Sequence, residues 1–249
     1  MIASTLALSN KPFSLYFKFA CFGICLTIIG FLPTYLGPMV STGKEFEMVF
    51  HLHGLFCALW LLLLLSQTFM IHSGNRAVHK KLGYASVVVA IGIFVTLQMV
   101  GLRSHELIAL ETGDADISFV ITPFLDSLTF AALYIGAIYY RKKPDIHKRL
   151  MVLATILLLW VAWVRLRHYL PPFPYAFELF GFIFGIIMPI LVFWWIEYIK
   201  TKKVHPAMLY GGIFVICEQW MQVLFVSDQS PFWKSLSTDV YNLLKSIYF

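Results

Sequence analysis

Seven long apolar stretches, separated by charges, prolines and glycines, constrain this chain more than any other feature. A helix needs about 20 apolar residues to cross a hydrocarbon core about 30 Å thick. The stretches span about 14–36, 50–71, 84–103, 117–140, 148–168, 177–200 and 207–227, and the run from Leu55 to Leu65 is nearly unbroken. Apolar side chains make up 59% of the 249 residues and charged ones 13%. A soluble domain carries about 45–50% and about 25%. With a mean hydropathy of +0.78, this composition excludes a soluble globular domain, a disordered chain and a disulfide scaffold. The runs are continuous rather than alternating, which argues against a membrane β-barrel. The expected fold is a single-domain, all-α integral membrane protein with seven transmembrane helices. Little length remains for a soluble catalytic domain, so chemistry is expected within the membrane or at its two faces.

The segment 230–249 follows another pattern. Ser230 and Pro231 read as an N-cap followed by proline at the first helical position. Trp233, Leu236, Val240, Leu243, Leu244 and Ile247 fall on one helical face. Lys234, Ser237, Thr238, Asp239, Asn242 and Lys245 take the other. This predicts an amphipathic helix lying in the membrane interface, with a cap on the bundle or a partner-binding helix as alternatives. The first residues lack the basic, apolar and small-residue pattern of a cleaved signal, so the first helix is expected to stay.

The formal charge of +6 is read by position. Thirteen of the nineteen Lys and Arg residues fall on one face: Lys11, Lys18, Arg76, Lys80, Lys81, Arg141, Lys142, Lys143, Lys148, Arg149, Lys200, Lys202 and Lys203. Positively charged connections stay cytoplasmic. The amino terminus is therefore expected inside and the tail outside, in a bacterial inner membrane. Glu45, Glu47, Glu106, Glu111, Asp114 and Asp116 take the outer side. The charge is a topology signal rather than a nucleic-acid signal. Cys21, Cys25, Cys57 and Cys217 all lie in apolar runs and read as buried small hydrophobes.

The eight histidines carry most of the chemical information. His51, His53, His105 and His168 form an outer tier, and His72, His79, His147 and His205 an inner one. Neutral imidazole ligates iron, copper or zinc. It is also tolerated at interfaces as a plain amphipathic group, and His205, beside Pro206 in a basic loop, reads that way. His51 and His53 point about 200° apart on one helix, so both cannot face one ion unless the helix starts between them. Gly54 makes His53 the better candidate, because a missing side chain admits a flat cofactor. The spacings His53–His72 and His147–His168 are 19 and 21 residues, about 28 and 31 Å along a helix. Two helices thus each offer one histidine per face. Paired, they give His53 with His168 outside and His72 or His79 with His147 inside, a plan open to two bis-histidine haems.

The segments His79-Lys80-Lys81-Leu82-Gly83 and His147-Lys148-Arg149-Leu150-Met151 resemble those of uncharacterised bacterial multi-helix membrane proteins. More loosely, they resemble the four-helix di-haem transmembrane cytochromes of the b type. The likeness covers about residues 50–170. It implies a b-haem electron-transfer core with His53, His79, His147 and His168 as axial ligands, and quinone, ascorbate-like or metal-chelate chemistry at the faces. The chain departs from that pattern in its spacing: those cytochromes place paired histidines about 13–14 residues apart on one helix, as the resemblance implies.

Charges at membrane depth are costly and mark function by default. Asp126, Arg165, Glu197 and Glu218 lie inside apolar stretches, with Gln67, Gln98, Gln219 and Gln222 as uncharged company. Asp126 or Glu218 is expected either to pair with Arg165 or to carry protons or a cation. Lys200 is the expected partner of Glu197. Arg165 and Arg167 are candidates for neutralising haem propionates or an anionic substrate. Trp160 and Trp163 lie nearer the middle of the fifth stretch, while interfacial belts account for most of the aromatics. A retinal protein is excluded because the last apolar stretch holds no lysine, and no phosphate-binding loop or His-Glu-x-x-His motif occurs. The leading expectation is one-electron transfer through histidine-ligated haem b, linked to a quinol or another membrane redox protein. A non-haem copper, iron or zinc enzyme, or an oxidase assembly factor, is the second. A transporter or structural subunit is the third.

Overall fold

The computed structural model describes residues 12–113, 116–228 and 230–248, with the side chains of 225–228 left aside. Lys11, Asp114 and Phe249 lie outside the described residues. The described chain is all helix, with no strand. Seven of its helices are long and apolar enough to cross a membrane. These are α1 (Leu15–Ser41), α2 (Met48–His72), α3 (Arg76–Thr112), α4 (Ile117–Tyr139), α5 (Pro144–Tyr169), α6 (Glu178–Thr201) and α7 (Pro206–Asp228). A shorter helix, α8 (Pro231–Tyr248), follows. The connections α2–α3, α4–α5 and α6–α7 gather at one end, called here the basic end. Those of α1–α2, α3–α4 and α5–α6 gather at the opposite end.

Helix α5 is the centre of the bundle. It packs against α1, α4, α6 and α7, and Trp60 of α2 donates to its Thr155 Oγ1 at 3.1 Å. Val152 through Leu157 are all buried, as are Leu159, Ala162 and Val164. A helix apolar all round is buried all round. Pro144 opens it, where the missing N–H costs nothing. Close approach of α1 rests on Gly30, since a Cβ there would collide with the Ala162 carbonyl.

Two element boundaries, the start of α3 and the end of α1, differ from the expectation for physical reasons. Helix α3 begins at Arg76, well before Gly83, because Asn75 Oδ1 accepts from the Val78 N–H at 3.2 Å and caps it. Its 37 residues extend about 55 Å, far beyond the hydrocarbon core. His79 and His105 are therefore helical rather than on connections. Helix α1 passes through Pro33 and Gly37 by widening into a π-helical turn at Leu32–Leu36. A second π-helical segment, Glu178–Ile187, opens α6.

Helix α8 docks on the overlong part of α3 and the start of α4. Trp233, Val240 and Leu244 cluster with Leu102 and Ile121. Glu106 of α3 accepts from Tyr241 at 3.2 Å and pairs with Lys245 at 3.3 Å. Ser237, expected on the polar face, is buried, its hydroxyl satisfied by the Trp233 carbonyl at 2.8 Å. Phe232, Leu243 and Ile247 remain exposed on the outward side.

Candidate functional site

The basic end brings His79, His147 and Gln67 together from three helices. The Nδ1 atom of His147 donates to the Ala137 carbonyl of α4 at 2.8 Å. That bond fixes the proton on Nδ1 and leaves the Nε2 lone pair open. The main-chain carbonyl of Gln67 accepts from the His79 ring, and His147 lies within electrostatic reach of it. Nδ1 of His79 is buried with no hydrogen-bond partner, as is Gln67 Oε1. Gln67 Nε2 stands 3.8 Å from where a Gly83 Cβ would be, and Gly83 shares a face of α3 with His79. His79 Nδ1 and Gln67 Oε1 are thus buried without partners, and His147 Nε2 is free of the Ala137 bond at the same end. Among the described residues, no group of three His, Cys, Asp or Glu side chains suited to a metal ion forms.

The other inner histidines are engaged elsewhere. The His72 ring lies 4.4 Å from that of Phe13. His205 caps α7: its Nδ1 accepts from the Ala207 N–H at 3.1 Å. Its own N–H donates to Glu197 Oε2 at 2.9 Å. Burial, followed by the Arg149 charge, pushes the His205 imidazole below its ordinary pKa. Glu197 pairs with Arg149 of α5 at 2.6 Å rather than with Lys200. Arg149 comes from the neighbouring helix, whereas Lys200 sits one turn further out, and its side chain is exposed.

Towards the opposite end, His51 and His53 diverge as their spacing requires. His51 Nδ1 meets the Tyr35 hydroxyl at 2.5 Å. The Nδ1 of His53 lies 3.0 Å from Thr96 Oγ1. Thr96 gives its own proton to the Gly92 carbonyl at 2.6 Å, so His53 must be the donor. Its Nε2 is left facing the Cys57 thiol at 3.5 Å. Gly54 opens no slot in the bundle: nothing lies within 4 Å of an added Cβ, because it faces outward. His168 is exposed at the end of α5, and no hydrogen bond or ring contact joins it to His53 among the described residues. The His105 ring packs edge-on to Tyr241 at 5.7 Å.

Asp126 and Glu218 form the densest polar cluster. Gln219 Nε2 donates to Asp126 Oδ1 at 2.6 Å and to Glu218 Oε2 at 3.0 Å. Gln222 Nε2 likewise reaches Asp126 Oδ1, at 3.0 Å, and Glu218 Oε1. Each amide spends both N–H groups bridging the two carboxylates. Trp160 Nε1 completes the set, donating to Asp126 Oδ2 at 3.1 Å. Among the described residues, no Lys or Arg pairs with either acid. The expected pairing with Arg165 is therefore absent. The acids are satisfied by neutral donors on α5 and α7, and Arg165 lies over Phe31 of α1, 4.4 Å from the ring centroid. Arg167 lies over Phe177 at 5.4 Å.

Several of these partners have a sequence signal that is visible only afterwards. Gln219 and Gln222 stand one and four residues from Glu218, a spacing that puts Gln222 on its face. Thr96, Phe31 and Arg149 carry no such signal, because each meets its partner across helices.

The fold and its enclosed polar groups define a helical integral membrane protein. No protein-family model, curated protein or solved structure matches the chain.

Proposed function

We propose that this chain is a membrane metalloprotein of the redox type, with a compact non-haem centre on His79, His147 and Gln67. The observation carrying this reading is a pair of buried, unpartnered atoms, His79 Nδ1 and Gln67 Oε1, at the same end as His147, whose Nε2 is left open by the Ala137 bond and whose charge reaches His79. Two imidazoles and a carboxamide oxygen suit copper, iron or zinc. One-electron exchange with a quinol or a membrane redox protein is the chemistry that copper or iron supplies when bound. Ala137 and the Gln67 carbonyl orient the two rings. The basic connections favour a cytoplasmic position for this end by the positive-inside rule. Helix α8, with Phe232, Leu243 and Ile247 outward, then lies at the outer interface.

A bis-histidine haem suits this pair less well. His79 presents Nδ1, whose neighbouring Cβ would press into a porphyrin plane, whereas a single ion leaves room for it. The second reading, a b-type haem at His53, is favoured by one observation. There Nδ1 is tied to Thr96, and Nε2 meets only the weak Cys57 thiol donor at 3.5 Å, close to the arrangement of an oriented axial ligand.

Metal analysis and an absorption spectrum of the purified protein test both. Stoichiometric copper or iron is expected without a Soret band, lost in His79→Ala and in His147→Ala. Metal-free wild type, or metal retained by both variants, refutes the centre. Stoichiometric zinc keeps the centre and refutes the redox assignment. A Soret band lost in His53→Ala replaces this reading with the haem one.

A further inference from the structure

We propose that Arg165, with Phe31 and Thr34, forms a binding site for a phosphate-bearing anion at the end of the bundle opposite the basic connections. Among the described residues, Arg165 is a partly enclosed cation with no carboxylate partner. Its Nε is buried and has no hydrogen-bond partner. None of the ion pairs includes it. Asp126 and Glu218, the acids at membrane depth nearest in kind, are already bridged by Gln219 and Gln222. What surrounds Arg165 is positive or titratable to positive: Arg167 and His168 follow it on α5, and its charge reaches His53. A partly enclosed cation in such company is costly unless an anion joins it. The described residues supply none, so a bound ligand is the anion proposed here.

Local geometry gives the site a floor and a second donor. The Phe31 ring lies beneath the guanidinium at 4.4 Å and holds its plane. Three residues beyond, Thr34 Oγ1 is buried and unpartnered. Thr34 belongs to the π-helical turn of α1, which packs against Leu166–Tyr169. The Tyr169 hydroxyl fastens the two helices by donating to the Ile29 carbonyl at 2.8 Å. Such turns recur at functional sites because they re-aim side chains. A forked guanidinium and a nearby hydroxyl suit the oxygens of phosphate. Arg165 follows twenty-one residues of α5, about 31 Å of helix, which puts it at headgroup depth. The phosphate therefore comes from a lipid headgroup or from a soluble phosphate compound.

Thermal denaturation in neutral detergent tests this. Wild type, Arg165→Gln, Arg165→Lys and Thr34→Val are titrated with dihexanoyl-phosphatidylglycerol, dihexanoyl-phosphatidylcholine and inorganic phosphate. Saturable stabilisation of wild type is expected, with half-saturation rising at least about tenfold in Arg165→Gln, the scale of one lost charge-assisted contact. Arg165→Lys keeps the charge and the fold and falls between. Stabilisation by phosphatidylglycerol alone identifies a lipid headgroup, and stabilisation by inorganic phosphate a soluble ligand. Equal responses in wild type and Arg165→Gln, equal responses to both lipids, or no response to either anion overturn the site. His147→Ala responds as wild type does, which separates this site from the metal centre.

Discussion

Replacing Glu197 with alanine isolates the contact that anchors the basic end. The side chains of Arg149 and Glu197 are only 13% and 10% exposed, and Arg149 Nε sits 2.6 Å from Glu197 Oε1. The second carboxylate oxygen accepts the His205 N–H at 2.9 Å. Glu197 thus joins the starts of α5 and α7 through the end of α6. Removing one partner of a buried ion pair costs about 3–5 kcal/mol, because the other charge stays buried. Arg149 retains the Asp145 carbonyl at 2.6 Å, so the lower end, about 3 kcal/mol, is expected. That is a large share of a stability of about 5–15 kcal/mol. Chemical denaturation in mixed micelles, followed by tryptophan fluorescence, measures it.

Two companion variants make the reasoning refutable. Glu197→Gln keeps a hydrogen-bond acceptor for the His205 N–H and loses less. Arg149→Met with Glu197→Leu removes both charges and returns near wild type, because an apolar pair of similar volume replaces them. Glu197→Ala within about 0.5 kcal/mol of wild type, or a double variant as unstable as the summed singles, refutes the buried-pair argument. The same series reads on function, because His147 lies two residues before Arg149 on α5. Metal content is expected to fall in Glu197→Ala and to recover in the double variant.

Two further outcomes follow from the geometry. Gly30→Ala drives a Cβ into the Ala162 carbonyl, and overpacking of that kind costs about 1–3 kcal/mol; an unchanged denaturation midpoint would contradict the α1–α5 contact. The Glu47 carboxyl lies outside the spans and is held below its ordinary pKa of 4.5, chiefly by its hydrogen bonds from Arg103. A lowered folded pKa means stability present above the ordinary value and lost as pH falls through the folded one. Hydrogen exchange in the α1–α2 connection is therefore expected to rise below pH 4.5 in wild type, while Arg103→Gln shows no such step.

The helices were legible because a bilayer leaves one solution for each long apolar run. Their ends were less so. Asn75 extends α3 by capping it before Gly83, and α1 runs past Pro33 because a π-helical turn absorbs it. Among site residues, the sequence singled out His79, His147, Asp126, Glu218 and Arg165, yet it did not tell which of them meet. Arg165 looked like the counter-charge of Asp126 because both are charged and near one depth. Neutral donors on α7 and α5 take that role instead. Depth can be read from position along a helix, but facing requires the rotation of each helix, which one chain's periodicity does not set when both sides are apolar.

Helix α5 shows why the unpartnered atoms matter more than the polar residues themselves. A helix enclosed by neighbours can carry a polar group only where another helix meets it, and native buried polar groups are nearly always so met. Along α5 this holds in order. Arg149 meets Glu197. The Thr155 hydroxyl gives its proton to the Met151 carbonyl and accepts from Trp60, and Trp160 meets Asp126. These bonds are closed and explain themselves as packing between polar surfaces. At its two ends α5 carries the Nε2 of His147, left open by the Ala137 bond, and the buried Nε of Arg165, which has no partner. One is a lone pair and the other an N–H on a cation, so one calls for an electrophile such as a metal ion and the other for an anion. Chains depart from polar satisfaction chiefly at functional positions. The opposite chemistry of these two openings, about 27 Å apart along one rigid helix, argues for two ligands rather than for a single cofactor spanning the bundle.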